Sequence, residues 1–257
     1  MRQKFKHFGD TANPDLLRLV IIFVLVGLLL VGFLLFGRSD EGASILPAWV
    51  QTEHVEPPDE RLTVAQKENP DTVAWITIPG TNIDYPVMQT VNEPNFYLKR
   101  GFDKQYSDYG VPYVQENCDL ALSDNCVIYG HHMNNGTMFA DLCKYESEDF
   151  YQEHKTIRFD TLSGFGEYEI VAVFKTVAYS EQGFKYYHFT RAESAEDFDA
   201  YITQCKALSL YDTGVTAEYD DKLITLSTCE YSRKNGRMVV VAKRIAAPSA
   251  EVGSDEA

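Results

Sequence analysis

Leu223-Ile224-Thr225-Leu226-Ser227-Thr228-Cys229, then a polar loop over residues 230–236, then Arg237-Met238-Val239-Val240-Val241-Ala242-Lys243, is the stretch that decides the fold of this 257-residue chain. Two runs rich in β-branched residues joined by a short loop with Asn235-Gly236 read as an antiparallel hairpin. That pairing brings Cys229, at the end of one strand, across from Arg237, at the start of the next. A guanidinium beside a thiol favours the thiolate, which is the nucleophile, and can hydrogen-bond an oxyanion during acyl transfer. Taken singly, a buried structural cysteine and an arginine capping a sheet edge are the commoner situations, so the pair needs support from elsewhere.

Outward from the hairpin the texture is the same. Short β-branched and aromatic runs at 73–78, 111–115, 127–129, 156–159 and 168–177 are separated by Gly, Pro, Asn and Asp, which predicts a mainly β domain. A short helix is expected over 60–68, stopping before Pro70. Two further helices are expected over 137–146 and 194–208. In the second, Phe198, Tyr201, Ile202, Cys205 and Leu208 recur at helical spacing, the mark of a helix packed on the β domain. No internal repeat is evident.

The second chemical element is Val127-Ile128-Tyr129-Gly130-His131-His132, a strand running into a glycine turn with a histidine pair at its exit. An imidazole leaving one strand end can meet a cysteine at another, protonate a departing amine and later deprotonate an incoming one. His131, next to the turn, is the catalytic candidate; His132 is expected to line the same pocket.

These residues carry a family resemblance. Thr225-Leu226-Ser227-Thr228-Cys229 resembles the Thr-Leu-x-Thr-Cys signature of the sortases, Gly130-His131 resembles their catalytic histidine motif, and Arg237 falls where their essential arginine does. The string from Tyr129 to Tyr145, with Met138-Phe139 and Leu142, is most similar to class B sortases. So are Val73-Ala74-Trp75-Ile76 and Gly80-Thr81-Asn82-Ile83-Asp84-Tyr85-Pro86-Val87, and the 194–208 helix matches an insertion found in several class B members. The likeness spans about residues 60–244. Gly110-Val111-Pro112-Tyr113-Val114 departs from the Gly-x-Ile-Phe type of run common in that class, and Pro112 there points to an edge or a bulge.

The resemblance implies a closed eight-stranded β-barrel with peripheral helices. It implies a transpeptidase that cleaves a carboxy-terminal sorting motif of LPxTG or NPxTN type after threonine, through a thioacyl enzyme. Cys229 would be the nucleophile, His131 the acid and base, and Arg237 the oxyanion partner. Ser227, Glu230 and Leu98 are the implied contacts to the sorting peptide. The acceptor would be an amine of a lipid-linked cell-wall precursor or a pilin lysine, and no cofactor or metal is called for.

The amino-terminal end fits this reading. Residues 19–36 form the only long apolar run, uncharged and long enough at about 1.5 Å per residue to cross a bilayer. No small-x-small cleavage site follows it, so an uncleaved anchor is expected rather than a signal peptide. Arg2, Lys4, Lys6 and Arg18 precede it and only Arg38 follows closely, which keeps residues 1–18 in the cytoplasm and places the rest outside the cell. Residues 37–59 read as a linker, 60–246 as the catalytic domain and 247–257 as a disordered acidic tail. Residues 1–38 carry five Lys/Arg and two Asp/Glu, net +3, which leaves −18 of the total −15 for residues 39–257. So acidic a domain excludes nucleic acid as a partner.

Five cysteines, an odd number in an exported chain, leave at least one thiol unpaired. Cys118 and Cys126 are close enough in sequence for a disulfide. A zinc-binding surface protein using Cys118, Cys126, His131, His132 and Cys143 is the alternative from a different class, but their spacing matches no compact zinc pattern. A hydrolase using the same Cys–His pair would differ only in taking water as acceptor; the papain order, Cys before His, is absent.

Overall fold

The computed structural model describes residues 59–245. The expected membrane helix at 19–36, the segment before it, the 37–59 linker up to residue 58 and the 247–257 tail lie outside the described residues. Helix α1 (Glu60–Glu68) is capped by Asp59, whose carboxylate accepts the Arg61 N–H at 2.9 Å. It buries Leu62 and Ala65 and ends at Asn69, extended ahead of Pro70 as the residue before a proline prefers to be.

Eight strands follow: β1 (Thr72–Thr77), β2 (Asp84–Met88), β3 (Tyr113–Val114), β4 (Asn125–Tyr129), β5 (Thr156–Thr161), β6 (Glu167–Val177), β7 (Leu223–Glu230) and β8 (Gly236–Arg244). They close into a barrel in the order β1-β2-β3-β4-β7-β8-β6-β5, with β5 pairing back onto β1, so no sheet edge is left open. The β2–β3 and β4–β7 pairs are parallel, which a hairpin cannot make. Long excursions between these strands therefore exist, and they build the rim of the barrel. Two short helices, α2 (Glu148–Glu153) and α3 (Ala195–Leu208), lie outside the strands.

The structure differs from the sequence expectation at four places. Strand β2 was not among the expected runs, because Pro86 interrupts it; it pairs with β1 all the same, Pro86 opposite Trp75. The run at 111–115 shrinks to Tyr113–Val114, since Pro112 has no N–H for a ladder and offers only its carbonyl, to the Met88 N–H at 2.9 Å. In place of an α-helix over 137–146 there is a 3-10 helix, Ala140–Glu146, preceded by Met138 at φ 57°, a left-handed residue that no helix can pass through. Helix α2 had no expected counterpart.

Helix α3 begins at Ser194, whose hydroxyl accepts the Asp197 N–H, and buries Phe198, Tyr201, Ile202 and Cys205. Phe189 stacks on Tyr201 with ring centroids 4.0 Å apart, and Ser209, just past the helix, accepts the Val173 N–H of β6 at 3.1 Å. Between the barrel and helix α3 one polar pair stands out, with the Tyr201 hydroxyl 3.3 Å from the Thr225 hydroxyl. Asn125 and Thr225 are fully buried, joined by a 2.8 Å hydrogen bond from the Thr225 hydroxyl to the Asn125 side-chain oxygen, while Asn125 donates to the Phe189 carbonyl at 2.8 Å. A one-residue slip of β4 against β7 would leave these groups unpaired, so the pair pins the register.

Candidate active site

The register of three strands builds the site. In the β7–β8 hairpin Cys229 lies directly opposite Arg237, which places their Cα atoms about 5 Å apart. In the parallel β4–β7 pair Tyr129 stands beside Ser227, and the Gly130 N–H continues the ladder to the Ser227 carbonyl at 3.2 Å. The Thr228 hydroxyl donates to the Gly130 carbonyl at 2.8 Å. Two residues past the Tyr129–Ser227 pair, His131 reaches the level of Cys229. Gly130 makes this possible: a Cβ there would sit 2.5 Å from the ring of buried Phe139.

Cys229, His131 and Arg237 all line one cavity of about 560 Å³. Its floor is the outer face of β3, β4 and β7, and its walls come from the chain before β3 and from residues 178–188 after β6. The Arg237 guanidinium donates to the Gly236 carbonyl at 2.9 Å and forms no ion pair among the described residues, so its positive charge is uncompensated. Among the described residues nothing hydrogen-bonds the Cys229 sulfur.

His131 is held by a partner that no local sequence signal announces. Its Nε2 is 2.7 Å from the Leu98 carbonyl oxygen, and a carbonyl can only accept, so Nε2 carries the hydrogen. Nδ1 is then the nitrogen left for chemistry. Gly110, at φ +59°, lies behind the ring, and a Cβ on it would come within 3.2 Å of His131 Cδ2 and 2.6 Å of the Tyr97 carbonyl. Leu98 therefore acts through its backbone on the histidine while its exposed side chain lines the cavity.

His132 turns the other way. Its Nδ1 is 3.0 Å from the Cys229 carbonyl oxygen and 3.3 Å from the Cys143 sulfur, its ring lies against Tyr231, and it is not among the cavity residues. Burial pushes the Cys143 thiol up to about 11, so this sulfur is a neutral brace behind the nucleophile strand. Ser227 lines the cavity floor with its hydroxyl 2.6 Å from the Tyr186 hydroxyl; burial pushes that phenol up to about 12. Glu230 does not line the cavity. Its carboxylate takes the Ser232 N–H at 2.8 Å and the Ser232 hydroxyl at 2.7 Å, with Lys175 at 3.6 Å. Burial works to raise its pKa, but the Ser232 hydrogen bonds and the Lys175 charge prevail and hold it below the usual carboxylate range. Glu230 thus fastens the hairpin loop rather than facing the groove.

The residues of the zinc alternative come together only in pairs, His132 with Cys143 and Cys118 with Cys126. Cys118 and Cys126 are free, buried thiols, with Cys118 accepting the Val127 N–H at 3.4 Å, and among the described residues no group of three or more His, Cys, Asp or Glu is gathered to hold a metal.

A strand-borne cysteine facing an unpaired arginine, with a histidine delivered by the parallel neighbour at the mouth of a closed barrel, defines a cysteine acyl-transfer enzyme. The sortase-domain family profile matches residues 76–245, covering most of the chain. Sortase B of Staphylococcus aureus is 34% identical over 196 residues, 75% of this chain and 77% of that protein. Sortase B of Listeria monocytogenes is 35% identical over 189 residues, 72% of this chain and 74% of that one. The Staphylococcus aureus sortase B–substrate complex superposes with a TM-score of 0.66 at 33% identity, over 75% of this chain and 87% of its own. The chain belongs to the sortase family, its neighbours in sequence and structure are class B sortases, and its activity is that of a cysteine transpeptidase.

Proposed function

We propose that this enzyme cleaves the carboxy-terminal sorting motif of exported proteins after its threonine and joins the new acyl end to an amine of a lipid-linked cell-wall precursor. The observation that carries this reading is the assembly of Cys229 from β7, Arg237 from β8 and His131 from the exit of β4 in one open groove. The Cys229 thiolate attacks the threonine carbonyl carbon. The oxygen takes up the negative charge within reach of Arg237, whose guanidinium has no competing carboxylate. The imidazolium of His131 gives the proton on Nδ1 to the departing amide nitrogen, the C–N bond breaks, and a thioester remains. An incoming amine attacks the thioester carbon and gives a proton to the now neutral His131, the C–S bond breaks, and the Cys229 thiolate and His131 imidazolium are restored as the new amide forms.

The groove length supports a peptide of several residues as the acyl donor, with the Leu98 side chain and Ser227 on its walls and floor. A pilin lysine as acceptor would need the same chemistry. The protein is anchored by residues 19–36, amino terminus in the cytoplasm and catalytic domain outside, where exported substrate and lipid-linked acceptor share one membrane face.

The test is mass spectrometry of residues 39–257 incubated with sorting-motif peptides, with and without an amine, beside Cys229→Ala. A thioacyl adduct on the wild type alone, converted by amine to an amide-linked product, is the expected result. Activity that survives Cys229→Ala would overturn the mechanism.

A further inference from the structure

The groove does not end at the catalytic residues. Its far end is formed where β3 gives way to the next loop, at Gln115, Glu116 and Asn117, beside Tyr187 and His188. The ladder measures the distance. The Gln115 N–H bonds the Val127 carbonyl, so Gln115 stands level with Val127, four residues behind His131 along β4. At about 3.3 Å per residue that is about 13 Å from the level of Cys229.

The side chains there have different duties. Gln115 is buried and committed: its amide nitrogen donates to the Tyr187 carbonyl and to Asn117, and its oxygen accepts the Tyr129 hydroxyl. It is a strut between the two walls. Glu116 is half-buried and has neither a hydrogen bond nor an ion pair among the described residues, and it is the sole carboxylate among those lining the groove. The cation on the same lining, Arg237, stands at the opposite end, opposite Cys229. The neighbouring lining includes Tyr113, Tyr129 and Tyr187, aromatic residues of the kind against which an alkyl-ammonium chain packs.

We propose that Glu116 selects a basic residue in the acyl donor, four or five positions before the scissile threonine, immediately ahead of the sorting motif. This rests on the transpeptidase reading and adds the charge of the substrate to it. The spacing follows from an extended peptide, whose residues advance by about 3.3 Å each, so the fourth and fifth residues before the threonine fall about 13–17 Å from it, the range in which Glu116, one residue past Gln115, stands. The acceptor amine cannot be the occupant. It must touch the thioester carbon at Cys229, and Glu116 lies several times a contact distance away.

The full chain is acylated with three peptides that differ only at these two positions, carrying Lys, Gln or Glu, and the rate of adduct formation on Cys229 is read by mass spectrometry. The wild type takes the Lys peptide about five- to tenfold faster than the Gln peptide, and the Glu peptide slowest, with the differences shrinking in high salt. The Lys-to-Gln ratio falls to about one in Glu116→Gln, and the order inverts in Glu116→Lys. Equal rates for all three peptides on the wild type, or a Lys preference that persists in Glu116→Lys, overturn the assignment while leaving the transpeptidase intact. Absence of any adduct, the uncharged peptide included, overturns the underlying reaction and the assignment with it.

Discussion

Two of the five cysteines sit within one hydrogen-bonded neighbourhood and are suited to opposite tasks. Cys229 opens onto the groove, whereas Cys143 lies behind the same strand, its thiol 3.7 Å from the Cys229 carbonyl. Burial pushes Cys143 up to about 11, so at pH 8 only about one part in a thousand is thiolate. Cys118, Cys126 and Cys205 are buried. Iodoacetamide at pH 8 is therefore expected to add one equivalent, mapped by peptide mass spectrometry to Cys229. Raising the pH toward 11 brings a second at Cys143. Early labelling of Cys143 at pH 8 would mean that it is not the neutral brace described above. At this scale the sequence was informative for Cys229, Arg237 and His131, because a hairpin and a strand exit are local patterns. It was silent on Tyr186, Gly110 and the Leu98 carbonyl, whose partners lie tens of residues away and are chosen by tertiary packing.

Among the elements, the β7–β8 hairpin bears the most chemistry and is fastened at its loop end by Glu230. The carboxylate is held below its usual range, so its contribution to stability is complete above the unfolded value of about 4.3 and is lost as the pH falls through the lower folded value. Glu230→Gln should lower the melting temperature near pH 7, and the gap to wild type should close below about pH 4; a gap that does not change with pH would remove the carboxylate from the account. The strands with clean β-branched runs were readable within a residue or two of their observed ends. Where proline intervened, at Pro86 and Pro112, the reading lost β2 and overextended β3. Met138 likewise spoiled the helix expected over 137–146, since a left-handed backbone at a methionine leaves no compositional trace.

The molecule as a whole is a closed ring in which the seventh strand sits between the fourth and the eighth. Closure itself was legible only through the family resemblance, because parallel pairing between segments about a hundred residues apart has no local signature. Its consequence lies in the order of events during folding. His131 is synthesised about a hundred residues ahead of Cys229, and the two come level only when β7 is seated beside β4. Such long-range parallel pairing is among the slow steps of folding, on the order of milliseconds to seconds. Recovery of transpeptidase activity after denaturant dilution is expected to follow a single phase, coincident with burial of the core tyrosines read by fluorescence. Activity that returns before the core would separate the two. A chain in which β7 is not yet seated thus carries its reactive thiol away from the histidine and groove that would direct it, and becomes an enzyme only as the ring shuts.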